Sequence, residues 1–113
     1  MKNLVAAALA GCLVASPVQA REVAIDDGNE LLSICGEDDA FSRGYCLGYI
    51  RGLTIGVDYL LVTKDTKICY PDGVTWGQIK DVAVSYIRRN PAKRADRAIF
   101  LVGLASADAW PCQ

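Results

Sequence analysis

The side chains with the most distinctive chemistry in this sequence are its five cysteines. The chain has no histidine and no Cys-x-x-Cys pair, so the common zinc-ligand patterns are absent. Without histidine there is no Ser-His or Cys-His catalytic pair and no general base of the usual kind near neutral pH. No spacing singles out two carboxylates as a catalytic pair. The sequence therefore favours a protein that is not an enzyme and that uses no cofactor or metal. The five cysteines are Cys12, Cys35, Cys46, Cys69 and Cys112.

Residues 1–20 have the pattern of a secretory signal peptide. Lys2 supplies a short positive n-region, residues 4–15 form an apolar h-region, and Val18-Gln19-Ala20 matches the small-x-small cleavage rule. Cleavage after Ala20 leaves one domain, residues 21–113, which holds 93 of the 113 residues (113 − 20). These features predict export to the periplasm.

The same segment has a second interpretation, because Leu9-Ala10-Gly11-Cys12 resembles the lipobox of a bacterial lipoprotein. The run before Cys12 is short, and the residues after it are apolar where a lipoprotein has a polar tether. The apolar run also continues through Cys12 to the second cleavage site. Lipidation at Cys12 is therefore the less favoured alternative.

Cleavage leaves four cysteines, Cys35, Cys46, Cys69 and Cys112, and an even number in a small exported chain predicts two disulfides. Four cysteines allow three pairings. A domain this short is marginal for a single hydrophobic core. Each disulfide is expected to add about 2–4 kcal/mol to its stability.

Residues 41–61 are predicted to form the central helix. An apolar residue recurs every four positions, and beside this row runs a second row of glycines, Gly44, Gly48, Gly52 and Gly56. Each interior glycine costs a helix about 1 kcal/mol relative to alanine. We expect another helix to lie against the glycines with its backbone close; the alternative is a dimer seam or docking groove. The apolar row is Phe41, Tyr45, Tyr49, Leu53, Val57 and Leu61, widened by Ile50 and Leu60.

Charges inside this helix argue against a membrane span. Arg43, Arg51 and Asp58 would each cost about 3 kcal/mol at the bilayer centre. A helix within a soluble core is the better interpretation, and no membrane association is expected after signal cleavage.

Three shorter helices are predicted around the central one. The first begins at Asp26 or Asp27 and stops at Gly36, and residues 37–39 supply acidic charge to the start of the central helix. The third begins at Trp76, because Thr75 with Gln78 forms a capping box. It ends near Arg89, before Pro91.

The fourth helix is predicted to begin with Asn90 as its cap and Pro91 at its first position. Its many alanines favour close packing, and the glycine row of the central helix is a candidate surface for them. The predicted face consists of Ala95, Ala98, Ile99, Val102, Ala105 and Ala109, broadened by Leu101 and Leu104.

The predicted fold is all-α, a small four-helix up-down bundle-like domain stapled by two disulfides. This order of helices places Cys35 beside Cys46 at one end and Cys69 beside Cys112 at the other. Each pair then meets the Cα separation of about 7 Å or less that a disulfide requires. A Cys46–Cys69 pairing stays open, because residues 62–69 could run back along the central helix in an extended form.

A cluster of basic residues lies where the third helix joins the fourth. Arg88 and Arg89 suit the negative end of a helix, but the later members lie near the positive start of the next one. A partner-docking role is therefore a second interpretation of the cluster. Removing Lys2 leaves 11 basic and 13 acidic residues, a net charge of −2 that gives no support for nucleic-acid binding. The members are Arg88, Arg89, Lys93, Arg94 and Arg97.

Short segments in a fixed order cover almost the whole mature chain. Together they resemble the Rap/Tai family of type VI secretion immunity proteins, and the ordered set is more specific than any one segment. The matching segments are Asn29-Glu30-Leu31-Leu32 with Cys35, Cys46 to Gly52, Ile68-Cys69-Tyr70-Pro71, Gly73-Val74-Thr75 with Gln78, Tyr86-Ile87, Asn90-Pro91, Ala98, Leu101-Val102 and Ala109-Trp110-Pro111-Cys112.

This resemblance implies a mostly helical, often dimeric periplasmic protein that binds and occludes a cell-wall amidase effector. In some members a loop near the third and fourth helices enters the amidase cleft. Here that loop is residues 88–94, with Arg88, Arg89, Asn90, Lys93 and Arg94 as candidate partner-binding residues. The alternative function is a periplasmic acid-stress chaperone of the Hde type, which is also small, helical and disulfide-bonded.

Overall fold

The computed structural model describes residues 24–61 and 68–113, apart from the side chains of residues 59–61. The predicted signal peptide, the Cys12 lipobox and the polar segment 63–67 lie outside the described residues. The described part is all-α, as predicted, with α1 over Gly28–Gly36, α2 over Ala40–Leu61, α3 over Trp76–Arg89 and α4 over Ala98–Ala109. A 3₁₀ turn over Pro91–Lys93 lies between α3 and α4.

Local capping sequences set three of the helix starts. The Asp27 carboxylate accepts from the Glu30 amide at 2.9 Å, while the Glu30 carboxylate accepts from the amides of Asp26 and Asp27. Thr75 and Gln78 form the same reciprocal pair at α3, as predicted. The acidic residues 37–39 precede α2, and one of them caps its start: the Asp39 carboxylate accepts from the Ser42 amide at 3.0 Å.

All six pairs of the four helices are in contact, and one apolar core lies between them. Tyr49 of α2 ties this core to the chain before α1, because its hydroxyl donates to the Ile25 carbonyl at 2.7 Å. Burial chiefly raises the pKa of Tyr49, with Asp26 adding to the shift. The most buried apolar residues are Leu31, Cys46, Ile50, Ile79, Ala83, Ile87, Ala98, Leu101, Val102 and Ala105.

The two disulfides join Cys35 to Cys46 and Cys69 to Cys112, with Cα separations of 5.1 and 5.0 Å. This is the predicted pairing. The second disulfide lies beside a short antiparallel bridge between Ile68 and Pro111, where the Cys69 amide donates to the Trp110 carbonyl at 3.0 Å. The chain after α2 is thereby fixed to the end of α4.

The expected packing of a helix on the glycine row of α2 is wrong. A Cβ built at Gly44, Gly48, Gly52 or Gly56 meets no atom of the described residues within 4 Å. The buried face of α2 is centred on Cys46, Ile50 and Val57 instead. The disulfide holds Cys46 inward, and at 3.6 residues per turn a glycine two positions away faces roughly 160° from it. Phe41 of the predicted apolar row is accordingly 47% exposed.

The fourth helix also begins later than predicted. Asn90 is the C-cap of α3, Pro91 opens the 3₁₀ turn, and α4 starts at Ala98. The main chain of Arg97 pairs with Asp27, and the Ala98 amide donates to the Asp26 carbonyl at 2.9 Å. This tertiary pairing holds Arg97 extended, which delays the helix. Ala95 and Ala109, predicted to face the core, are exposed.

Candidate partner-binding site

The loop of residues 88–97 brings the five predicted binding residues together at the end of α3. Arg88, Arg89 and Lys93 are exposed, while Asn90 and Arg94 are half-buried. The structure thus separates this set into outward cations and two side chains that face the protein.

Consecutive turns give this loop its shape. The Asn90 amide donates to the Ile87 carbonyl at 3.3 Å, and the Lys93 amide donates to the Asn90 carbonyl at 3.0 Å. Two further turn bonds follow, from Arg94 to Pro91 and from Asp96 to Lys93. Proline suits the start of the 3₁₀ turn because its ring fixes φ and it has no amide hydrogen to satisfy.

Side chains of the loop cap the C-terminal carbonyls of α3. The Arg94 guanidinium donates to the Ile87 carbonyl at 3.3 Å and to the Arg88 carbonyl at 2.8 Å. The Asn90 amide group donates to the Tyr86 carbonyl at 2.8 Å. A cation at this end of a helix also offsets its negative dipole. Arg94 is therefore chiefly a residue that positions the loop.

Tyr86 is a further member of the site, and the sequence pattern did not assign it there. Its hydroxyl accepts from Lys93 Nζ at 3.1 Å, and the same ammonium lies 5.7 Å from the centre of its ring. The tyrosine thus holds the Lys93 side chain over the helix end, as a cation–π contact. In the sequence, Tyr86 and Lys93 are seven residues apart, on either side of Asn90-Pro91, and this spacing is the feature that relates them.

The N-terminus of α1 supports the other side of the loop. The Asn29 amide donates to the Arg94 carbonyl at 3.1 Å, and the Gly28 amide donates to the Asp96 carbonyl at 3.2 Å. Gly28 is required for this approach, because a Cβ there would lie 3.0 Å from the Arg94 carbonyl oxygen. The loop is thus fixed to two helices by main-chain bonds.

Within residues 24–61 and 68–113, Arg88, Arg89 and Lys93 form no ion pair with a carboxylate. An ion pair joins Lys80 to Asp81 on the first half of α3, away from this loop. Arg88, Arg89 and Lys93 therefore present exposed positive charge at the end of α3 and in the turn after it, although the chain as a whole is slightly acidic. Such a local field favours an acidic surface on a partner.

The described residues contain no group of three or more His, Cys, Asp or Glu side chains arranged to hold a metal ion. Among these same residues, no helix combines the length and apolarity needed to cross a bilayer. The loop of residues 88–97 is thus a basic, hydrogen-bonded segment of a small all-helical domain with two disulfides.

A comparison with family models finds a match for this all-helical, disulfide-bonded chain. The model described as Rap1a immunity proteins matches residues 27–112, which include all four helices and the basic loop. This chain belongs to the Rap1a immunity protein family. Neither the curated proteins nor the solved structures contain a match to it.

Proposed function

We propose that this protein is a periplasmic immunity protein that binds and occludes a peptidoglycan amidase effector of a type VI secretion system. Its membership of the Rap1a immunity family over residues 27–112 is the observation that carries this proposal. An immunity protein acts by binding its effector, so no catalytic group of its own is required. The proposed partner is the amidase itself. The family resemblance also supports a homodimer of the mature protein.

The loop of residues 88–94 is the proposed contact with the amidase cleft. Arg88, Arg89 and Lys93 would meet the effector, while Arg94 and Asn90 keep the turn in shape. Because the loop is already ordered in the free protein, binding would lose little conformational entropy. Exposed cations would speed association with an acidic cleft rim at low ionic strength.

Inhibition and association kinetics test this proposal. Mixed with its cognate amidase, the protein should abolish hydrolysis of peptidoglycan peptides at one inhibitor site per enzyme. The double variant Arg88→Glu/Lys93→Glu should associate about tenfold or more slowly at low salt, and the difference should shrink as salt screens the charges. Arg43→Glu is the matched control, since Arg43 is exposed on α2 and far along the chain from the loop.

Equal association rates for the loop variant and the wild type would remove this loop from the interface. Failure to inhibit any amidase encoded beside the gene would remove the amidase as the partner. Acid-triggered binding of unfolded proteins would instead favour the chaperone alternative.

Export is a separate part of the proposal. Two disulfides suit an oxidising compartment such as the periplasm. The mass of the protein recovered from the periplasm should correspond to a chain that begins at Arg21. An acylated N-terminus at Cys12, or an intact Met1, would contradict cleavage after Ala20.

A further inference from the structure

The disulfide between Cys69 and Cys112 is the more accessible of the two disulfides. Cys69 is exposed and Cys112 is half-buried. In the other disulfide, Cys46 is 2% exposed and lies in the apolar core, and Cys35 is half-buried. Thiol–disulfide exchange requires a thiolate to reach one sulfur of the bond, so access to that sulfur limits the rate in a folded protein. Cys69 is therefore the most open target for exchange among these four cysteines.

The Cys69–Cys112 disulfide closes a clasp, which consists of residues 68–71 and the residues 110–112 against which they lie. Noncovalent contacts also hold it: the Cys69 amide donates to the Trp110 carbonyl at 3.0 Å, and the Tyr70 ring lies 5.2 Å from the Trp110 ring. A hydrogen bond and a ring contact each contribute little net free energy. The covalent bond is thus the chief link across the clasp.

The clasp joins the ends of α3 and α4 that the basic loop does not join. Residues 68–71 precede the start of α3, and residues 110–112 follow the end of α4, whereas the loop of residues 88–97 connects the other two ends. The Cys35–Cys46 disulfide independently ties α1 to α2. Opening the clasp alone would therefore leave the first disulfide and the basic loop in place.

We propose that Sγ of Cys69 is the site at which a dithiol oxidoreductase of the thioredoxin class reduces the folded protein, and that this reaction opens the clasp while the Cys35–Cys46 disulfide stays intact. This inference does not rest on the proposed function, because it involves no effector and none of residues 88–94.

The exchange occurs in two steps. A thiolate of the reductant attacks Sγ of Cys69, the bond to Sγ of Cys112 breaks, and Cys112 leaves with the electron pair as a thiolate. The second thiolate of the reductant then attacks the reductant's own sulfur in the mixed disulfide and releases Cys69. Two electrons and two protons thus pass from the dithiol, which becomes a disulfide, to the two cysteines, which become thiols.

The proposal concerns the rate of reduction, and a competing route predicts a different order. If reduction required global unfolding, both disulfides would become accessible together and would be reduced at similar rates. The loop that Cys69 and Cys112 close is also the longer one, with a sequence separation of 43 against 11 residues, so its disulfide is not expected to be the less stabilising of the two. Early reduction at Cys69 would therefore reflect access in the native fold.

Timed reduction of the oxidised protein measures this order. The protein is incubated at pH 7 with thioredoxin, its reductase and NADPH, free thiols are blocked with N-ethylmaleimide at intervals, and each cysteine is followed by peptide mapping. Cys69 and Cys112 should be labelled at least about tenfold faster than Cys35 and Cys46. With dithiothreitol in concentrated urea this preference should disappear. Equal rates in the native protein, faster labelling of the Cys35–Cys46 pair, or a preference that persists in urea would overturn the proposal.

A thioredoxin variant with serine in place of its resolving cysteine identifies the sulfur that is attacked. This variant cannot complete the second step, so it remains joined to its target. The mixed disulfide should map to Cys69, and a bond to any other cysteine of the chain would contradict the assignment.

Hydrogen exchange of the double variant Cys69→Ser/Cys112→Ser tests the opening. The amide of residue 69 should exchange at least about tenfold faster than in the oxidised wild type, because its bond to Trp110 loses the covalent support. The Asn29 amide, which donates to the Arg94 carbonyl of the basic loop, is the internal control and should keep its protection. Unchanged protection at residue 69 would overturn the opening of the clasp, and loss of protection at both amides would show that the whole domain unfolds instead.

Discussion

A Cβ on Gly28 would lie 2.5 Å from Cδ1 of Leu101, a residue with no exposed surface. The same Cβ would approach the Arg94 carbonyl oxygen at 3.0 Å. Gly28→Ala should therefore destabilise the protein by about 1–3 kcal/mol through overpacking, although alanine is the better helix former. Urea unfolding of the oxidised protein measures this change.

Gly48→Ala is the matched control for this prediction. It adds the same methyl group on the open face of α2, where no described atom lies within 4 Å. Helix propensity then acts alone, and the substitution should stabilise the protein by about 0.5–1 kcal/mol. If the two variants change stability in the same direction, close packing is not the reason that position 28 requires glycine.

Arg94 should contribute to stability and Arg88 should not. Arg94→Ala removes two hydrogen bonds from a charged donor to the end of α3, which should cost about 1–3 kcal/mol. Arg88→Ala removes an exposed side chain and should change stability by less than about 0.5 kcal/mol. Hydrogen exchange adds a local measurement, because loosening of the loop should expose the Asn29 amide that donates to the Arg94 carbonyl. Unaltered protection of that amide in Arg94→Ala would argue against the positioning role.

The two disulfides should differ in their contribution to stability. They close separate loops with sequence separations of 11 and 43 residues. The chain-entropy relation gives about 3 kcal/mol for the shorter loop and about 4 kcal/mol for the longer one. Replacing Cys69 and Cys112 together by serine should therefore lower the unfolding free energy more than the same change at Cys35 and Cys46. The reverse order would show that contacts around the cysteines, rather than loop length, dominate.

Asp58 should make stability depend on pH. Burial raises the pKa of its carboxyl above the usual 3.8. Protonated Asp58 therefore contributes to the stability of the fold. This contribution is complete below pH 3.8 and is lost as pH rises through the higher pKa of the native state. Asp58→Asn should thus raise the midpoint of thermal unfolding near pH 7 and have little effect near pH 3. Asp38→Asn, in an exposed turn, is the control. An equal benefit of Asp58→Asn at both pH values would exclude this explanation.

Local sequence rules predicted most of the helix boundaries. The Thr75 and Gln78 pair placed the start of α3 correctly, because a capping box involves only residues three apart. The same kind of reasoning placed the start of α4 wrongly at Pro91. The observed start at Ala98 depends on the pairing of Arg97 with Asp27, some seventy residues earlier in the chain. No local sequence pattern reports such a contact.

The orientation of α2 was the other feature that local reasoning missed. Phe41 and Tyr45 made an aromatic row that suited a core, but the disulfide turns Cys46 inward and leaves Phe41 nearly half exposed. For the candidate site, sequence placed the cations in one loop because they are close in the chain. It did not separate Arg94, which caps α3, from Lys93, which is held over Tyr86, since that division depends on side-chain direction.

The order of the disulfides along the chain bears on how the protein would mature during export. Among the four cysteines of the described residues, the first pairs with the second, and the third pairs with the fourth. A polypeptide that emerges from a translocon with its N-terminus first would present each partner directly after the other. An oxidase that joins thiols in order of arrival would then produce the native bonds at once, so that maturation would need no isomerase to correct them.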